Sequence, residues 1–274
     1  MQFKLFLETE ELYKQFTSYL NQNNIDFPQL LQKLQSQNPD GQGGNANFYK
    51  ITNTPFGIRI LKKNWTTPDT NPTLQPANNP NSDINIGQAI AHYGKNIQVL
   101  RLQQGIPAGL KHGAWNSKND DELNKEIANY KNQIKTAAEM PIDSYIELFN
   151  NIKKLNANNY VVDPSKSGNL LIDKDKQKFN IVDMNYMGDK NTYKNSADEI
   201  ALMLIDKFAT KYFPTDKEVQ NYAKQIHDKI EQAAELTKLT LKADSSSYQF
   251  QKKYAAGNYE PPTPYVPTNN NEVW

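Results

Sequence analysis

The chain has 274 residues, 31 of them Lys or Arg and 30 Asp or Glu, for a formal net charge of +1. That balance offers no bulk electrostatic handle for nucleic acid or for a membrane surface. The absence of cysteine removes disulfides, thiolate catalysis and Cys-ligated zinc at once. With 37% apolar residues and a mean hydropathy of −0.80, the chain can build one large core or two small ones, with part left over as loop or tail.

His92, His112 and His227 are far apart and form neither HxxxH nor HExxH spacing, which argues against a His-based metal site. The opening "MQFKLFLETEELYKQF" has too short an apolar run, and acidic residues too early, for a signal peptide. No stretch approaches the roughly 18 apolar residues of a membrane span. The expectation is a soluble protein made in a cytoplasm, with signal-less export left open.

In chain order, Thr9 reads as the cap of a helix with Leu12, Phe16, Tyr19 and Leu20 on its apolar face. "NPDGQGGNAN" (38–47) is a Gly/Asn/Pro break, followed by a hairpin in "NFYKITNTPFGIRILKK" that turns at Thr52 to Pro55. Residues 64–85 are rich in Pro, Asn and Thr and read as a long loop. Two strands flank Gly94-Lys95-Asn96, and "IPAGLKHGAW" is a connector. Helical periods then run over 120–139, from Pro141 to about 156, over 196–213 and over 215–243. The last thirty residues read as a Pro/Asn/Tyr-rich tail. Strands first and helices afterwards imply an α+β fold.

The chemistry concentrates in "YVVDPSKSGNLLIDKDKQKFNIVDMN" (160–185). Leu170 to Ile172 and Phe179 to Val182 are apolar runs joined by a charged turn, hence a hairpin. Asn169 precedes its first strand and Asp183 follows its second, so an amide oxygen and a carboxylate converge as hard ligands suited to Mg²⁺. Asp163 and Lys166 lie on the loop leading in, a proton acceptor and a phosphate-binding cation. Alone, such a pattern is more often a solvated hairpin whose polar ends cap turns. Order along the chain tips the reading. Upstream, Gly41, Gly43 and Gly44 precede a strand, where backbone N–H groups can approach phosphates. The next strand carries Arg59 between Ile58 and Ile60.

In that order these segments resemble the protein-kinase fold. "GQGGNANF" is similar to the Gly-rich loop, "FGIRI" to the strand that holds the phosphate-pairing lysine, and "IQVLRLQQGIP" to the strand leading to the hinge. "VVDPSKSGNLLID" resembles the catalytic loop and "FNIVDMN" the DFG segment, and Asp198 in "SADEIALMLI" resembles the aspartate that holds that loop. The resemblance implies a two-lobed fold, with a small β-rich N-lobe (38–104), a truncated helical C-lobe (105–243), an N-terminal helical extension (1–37) and a tail (244–274). It implies ATP and Mg²⁺ as cofactors, Asp163 as catalytic base, Lys166 as loop lysine, and Asn169 and Asp183 as metal ligands. Gly41, Gly43, Gly44 and Arg59 would bind nucleotide.

The sequence departs from the family in five places. Val161 stands where the loop histidine is expected, and Arg59 replaces lysine, which is not a conservative exchange. Asn169 follows Asp163 by six positions where the signature has five. No glutamate lies between the Arg59 strand and the hinge, and the 183–198 interval is too short for a full activation segment. The shortened layout resembles the small effector kinases that pathogenic bacteria inject into host cells, the OspG/NleH-like group. That likeness implies a Ser/Thr kinase acting on a host protein, with a nucleotide-binding or scaffold pseudokinase as the alternative. "PPTPYVP" in the tail fits an SH3-like or WW-like partner, although an unstructured end is the commoner reading.

Overall fold

The computed structural model describes residues 2–42, 46–62, 89–93, 96–109, 120–182, 184–187, 192–207 and 209–259. The fold is α+β, with antiparallel strands and several helices. Its buried apolar residues fall into two clusters.

The first cluster joins the N-terminal helices to a five-stranded sheet. α1 (Gln2–Gln22) starts ahead of the expected cap at Thr9, since no Pro or Gly interrupts it. α2 (Phe27–Gln35) was not evident from apolar periodicity, but its start is written in side chains. Asp26 accepts from Gln29 N at 2.8 Å and Gln29 accepts from Asp26 N at 2.9 Å, a capping box, with Pro28 in the first turn.

The strands are β1 (Gly41–Gln42), β2 (Ala46–Lys50), β3 (Phe56–Leu61), β4 (Ala89–Tyr93) and β5 (Ile97–Arg101). They pair antiparallel in the order β1-β2-β3-β5-β4. Alternation sends Tyr49, Phe56, Ile58 and Val99 to one face, where Phe16, Leu20, Phe27, Leu30 and Leu34 cover them. Phe16 meets the rings of Phe27 and Phe56 edge-on at 6.2 and 5.5 Å, and Phe27 stacks on Tyr93 at 3.5 Å. The chain's own N-terminus therefore covers this sheet face, so α1 and α2 are part of the core rather than an appendage. Arg59 lies on the opposite face, in register with Phe48 and Gln98. The Phe48 ring lies over Gly57, where a Cβ would stand 2.5 Å from Phe48 Cζ and would have to displace it.

The second cluster packs helices against a hairpin. α3 (Asp120–Glu139) and α4 (Ile142–Ala157, with Pro141 at its N-cap) match the periodicity. β8 (Leu170–Asp173) and β9 (Lys178–Ile181) form the predicted hairpin. The expected helix over 196–213 is shorter: α5 covers Ala197–Leu204, and a 3-10 turn follows at Ala209–Tyr212. The break lets buried Asp206 turn inward and accept hydrogen bonds from Ser167 Oγ and Ala209 N.

α6 (Lys217–Thr237) is capped by Asp216, which accepts from Glu218 N and Val219 N. It stops short of the expected 243, at Lys238, whose φ of 58° is left-handed. The expected tail also needs correcting, since Ser246–Ala255 is α7, N-capped by Ser245. Tyr254 on α7 is fully buried in the second cluster and donates to Phe213 O at 2.9 Å. Scattered aromatics in a Ser-rich segment hide this helix until it has a surface to dock on. Residues 260–274, including the "PPTPYVP" motif, lie outside the described residues. Among the described residues, no helix is long and apolar enough to cross a membrane.

Because Phe16 is fully buried between two aromatic rings, Phe16→Ala is expected to lower unfolding stability by about 3–5 kcal/mol in urea titration. A loss below about 1 kcal/mol would mean that α1 does not belong to the core.

Candidate functional site

The loop from Asp163 to Asn169 is held from both ends. Before it, β7 (Tyr160–Val161) pairs antiparallel with β10 (Asn185–Tyr186), matching Val161 to Asn185. After it, the hairpin closes with Val182 N donating to Asn169 O at 3.0 Å. Asp183 lies outside the described residues, yet Val182 on one side of it and Asn185 on the other are both tied to the loop's ends.

A pair of asparagines fixes the entry strand. Asn195 accepts from Val162 N at 2.8 Å and donates to Val162 O at 2.9 Å, as a neighbouring strand would. Asn156, near the end of α4, repeats the pattern one layer out. Its side chain accepts from Asn195 N at 2.9 Å and donates to Asn195 O at 2.8 Å. Both asparagines are buried, where each satisfied amide matters most. In a sequence so rich in Asn, nothing local marks these two.

Inside the loop, Ser165 N and Ser165 Oγ donate to Asp163 Oδ1 at 3.0 and 2.7 Å. Lys166 Nζ stands 3.4 Å from Asp163 Oδ2, so the two residues expected to act together are brought together. Partial burial disfavours the charged form of Asp163. The two Ser165 hydrogen bonds and the Lys166 ammonium outweigh it and hold the carboxyl below the ordinary carboxylate range. A 3-10 turn over Ser167–Asn169 accommodates the longer step to Asn169, and Ser167 Oγ anchors it to Asp206 Oδ2 at 2.9 Å. Asn169 is nearly buried and its side-chain amide makes no hydrogen bond among the described residues.

Asp198 does not touch this loop through the hydrogen bonds of its carboxylate. It is fully buried in the first turn of α5, where its carboxylate accepts from Lys242 N at 3.1 Å and Ser245 Oγ at 2.6 Å. Its backbone carbonyl accepts from Gln251 Nε2 at 2.7 Å. The residue expected to brace the loop thus braces the α6–α7 connection, and Asn195 braces the loop.

The upstream residues reach the hairpin through the backbone. Leaving β5, the chain forms β6 (Ile106–Pro107), which pairs with β8 in the register Ile106↔Ile172 and Pro107↔Leu171. Asn180 Nδ2 donates to Gln104 O at 2.8 Å, and Ala108 N to Leu170 O at 2.9 Å. Gly105 adopts φ +125°, and a Cβ there would stand 2.7 Å from Ile172 O, so only glycine fits this crossing. The first two residues of the expected connector therefore pair with the hairpin, and its residues 110–115 lie outside the described residues. Gly41 sits in β1 opposite Phe48; Gly43 and Gly44 lie outside the described residues. Arg59 is half-buried on β3, with no hydrogen bond or ion pair among the described residues.

Among the described residues no group of three or more His, Asp or Glu side chains stands close enough to hold a metal ion. The expected ligand set is different in kind, an amide and a carboxylate, and one of the two, Asp183, lies outside the described residues.

Ser165→Ala should raise the Asp163 pKa, measured by following its carboxyl carbon by NMR against pH. A carboxyl whose folded pKa is depressed adds stability above its unfolded value, near 4, and loses it as pH falls through the folded value. The variant should therefore lose less stability on acidification than the wild type. An unchanged titration would show that the Ser165 hydrogen bonds do not form.

No protein-family model matches the chain, and no curated protein matches it.

Proposed function

We propose that the chain is an ATP- and Mg²⁺-dependent phosphotransferase with a two-lobed, minimal kinase-like fold, acting on a Ser or Thr hydroxyl of a protein. The observation that carries the reading is the crossing at 102–109. The strand beside Arg59 runs straight into a segment paired with the hairpin that Asn169 opens and Val182 closes. A nucleotide against that crossing would have the Arg59 sheet on one side and the Asp163–Asn169 loop on the other.

The residues fit such a ligand. Arg59 and the Asn169 amide have no hydrogen-bonding partner among the described residues, so neither must break a contact to bind. Asn169 and Asp183 would hold Mg²⁺, which when bound neutralises charge on the phosphates. Arg59 grips the α- and β-phosphates, and the backbone at Gly41, Gly43 and Gly44 approaches them. Asp163 orients the acceptor hydroxyl and takes its proton as the new O–P bond forms and the bond to the ADP oxygen breaks. Lys166 offsets charge on the group in transfer. A carboxyl held below the ordinary range is a weak base, which suits a reaction that depends on positioning more than on proton abstraction. The assignment to effector kinases acting on a host protein rests on the compact layout of the sequence alone.

The same depressed carboxyl, engaged by Ser165 and Lys166, favours a second reading in which the fold binds nucleotide or a partner without transfer. Incubation with labelled ATP and a host-cell lysate separates the two. Asp163→Ala and Asp183→Ala should each cut transfer by about 100-fold or more while leaving thermal unfolding of the chain cooperative. Full transfer by Asp183→Ala would refute the site. Stabilisation by ATP and Mg²⁺ with no transfer from the wild type would favour the second reading.

A further inference from the structure

A cavity of about 430 Å³ lies between the end of α4, the 192–196 segment and the chain after α6. Four lysines line it, Lys153, Lys194, Lys238 and Lys242, and no carboxylate does. It adjoins the Asp163 loop through two shared residues. Asn195 lines the cavity while clamping Val162, next to Asp163. Tyr193 lines it too. Burial first, then the Glu199 and Asp163 carboxylates, push its hydroxyl up to about 12.

Helix ends explain two of the four lysines. Lys153 Nζ donates to Thr237 O at the end of α6, and Lys194 Nζ donates to Asn156 O and, at 2.7 Å, to Asn159 Oδ1 at the end of α4. These acceptors are neutral, and each ammonium keeps a donor to spare. Lys242 Nζ reaches Glu199 Oε1 at 3.4 Å, a carboxylate that also accepts from Tyr193 OH and Ser196 N. Asp198 is buried beneath, committed to Lys242 N and Ser245 Oγ. Lys238 has no hydrogen-bond or ion-pair partner for its ammonium among the described residues. It occupies a left-handed position that favours Gly or Asn, at a cost of about 1 kcal/mol for other side chains. The fold does not need a lysine there.

We infer that this cavity binds an acidic segment of the protein substrate and places a Ser or Thr beside Asp163. The inference rests on the proposed phosphotransferase reading, but the binding it names can be measured without ATP. Four ammonium groups, of which only Lys242 pairs with a carboxylate among the described residues, favour a ligand carrying several Asp or Glu side chains, each taking charge-assisted hydrogen bonds.

The test is fluorescence anisotropy with the full chain, without nucleotide. The probe is a labelled Ser-containing peptide rich in Asp and Glu, against the same peptide with Asn and Gln. The acidic probe should bind more tightly, and raising salt should weaken it. Lys238→Asn with Lys242→Gln should weaken it by about tenfold. Lys238→Asn alone should keep or raise the melting temperature, which separates lost binding from lost folding. Equal binding of the two peptides, or undiminished binding by the double variant, overturns the inference. So does tighter, equally lysine-dependent binding of a single-stranded oligonucleotide. Acidic-peptide binding in a chain that transfers no phosphate would sink the catalytic reading and leave the cavity's assignment standing.

Discussion

The clamp of Asn156 on Asn195, and of Asn195 on Val162, is the constraint on which the candidate site depends. It joins three parts of the chain: the end of α4, the segment before α5 and the strand entering the Asp163 loop. A primary amide turns an N–H donor and its C=O acceptor to the same side, matching the C=O and N–H of a single extended residue, so it can stand in for a strand where no strand reaches. Buried, each such pair is costly to leave unmade, and the loop entry has no alternative register. Once Val162 is fixed, pairing of Val161 with Asn185 and of Asn169 with Val182 closes the loop on itself.

A second set of buried polar contacts ties the C-terminal part to the same frame. Asp198 gathers Lys242 N and Ser245 Oγ, Gln251 reaches Asp198 O, and Ala197 N donates to Thr240 O. These bonds place the chain after α6 against the start of α5 and so form one wall of the lysine-lined cavity. Asp198 itself lies in the first turn of α5.

The parts legible in the sequence were those fixed by local pattern. α3 and α4 follow from helical periodicity and Pro141, and the β8–β9 hairpin from two apolar runs around a charged turn. The nearness of Asp163 and Lys166 follows from their spacing on one loop. What stayed hidden depends on partners far away in sequence. α5 ends early because Asp206 must reach Ser167, and α7 forms where Tyr254 finds a buried place. Asn156 and Asn195 look like any other asparagine until the chain brings them together. α2 is the exception, since the Asp26–Gln29 capping box was present in the sequence and its polar face obscured it.

The polar residues divide by task, and the division bears on function. Asn156, Asn195, Ser167, Asp198 and Asp206 are buried, and each bonds to other parts of the fold. Asp163, Lys166, Asn169 and Arg59 contribute few bonds or only bonds within their own loop. Groups of the first kind are paid for by folding. Groups of the second kind stay available to a ligand, and their side chains can change without removing a support from the core. Neither the Asn169 amide nor the Arg59 guanidinium supports the fold through a hydrogen bond among the described residues, so both remain available to a ligand. The same contrast holds in the cavity, where Lys153 and Lys194 cap helix ends while Lys238 occupies a backbone position that disfavours it. In both places the residues that the fold does not need are the ones whose chemistry suits phosphate or carboxylate.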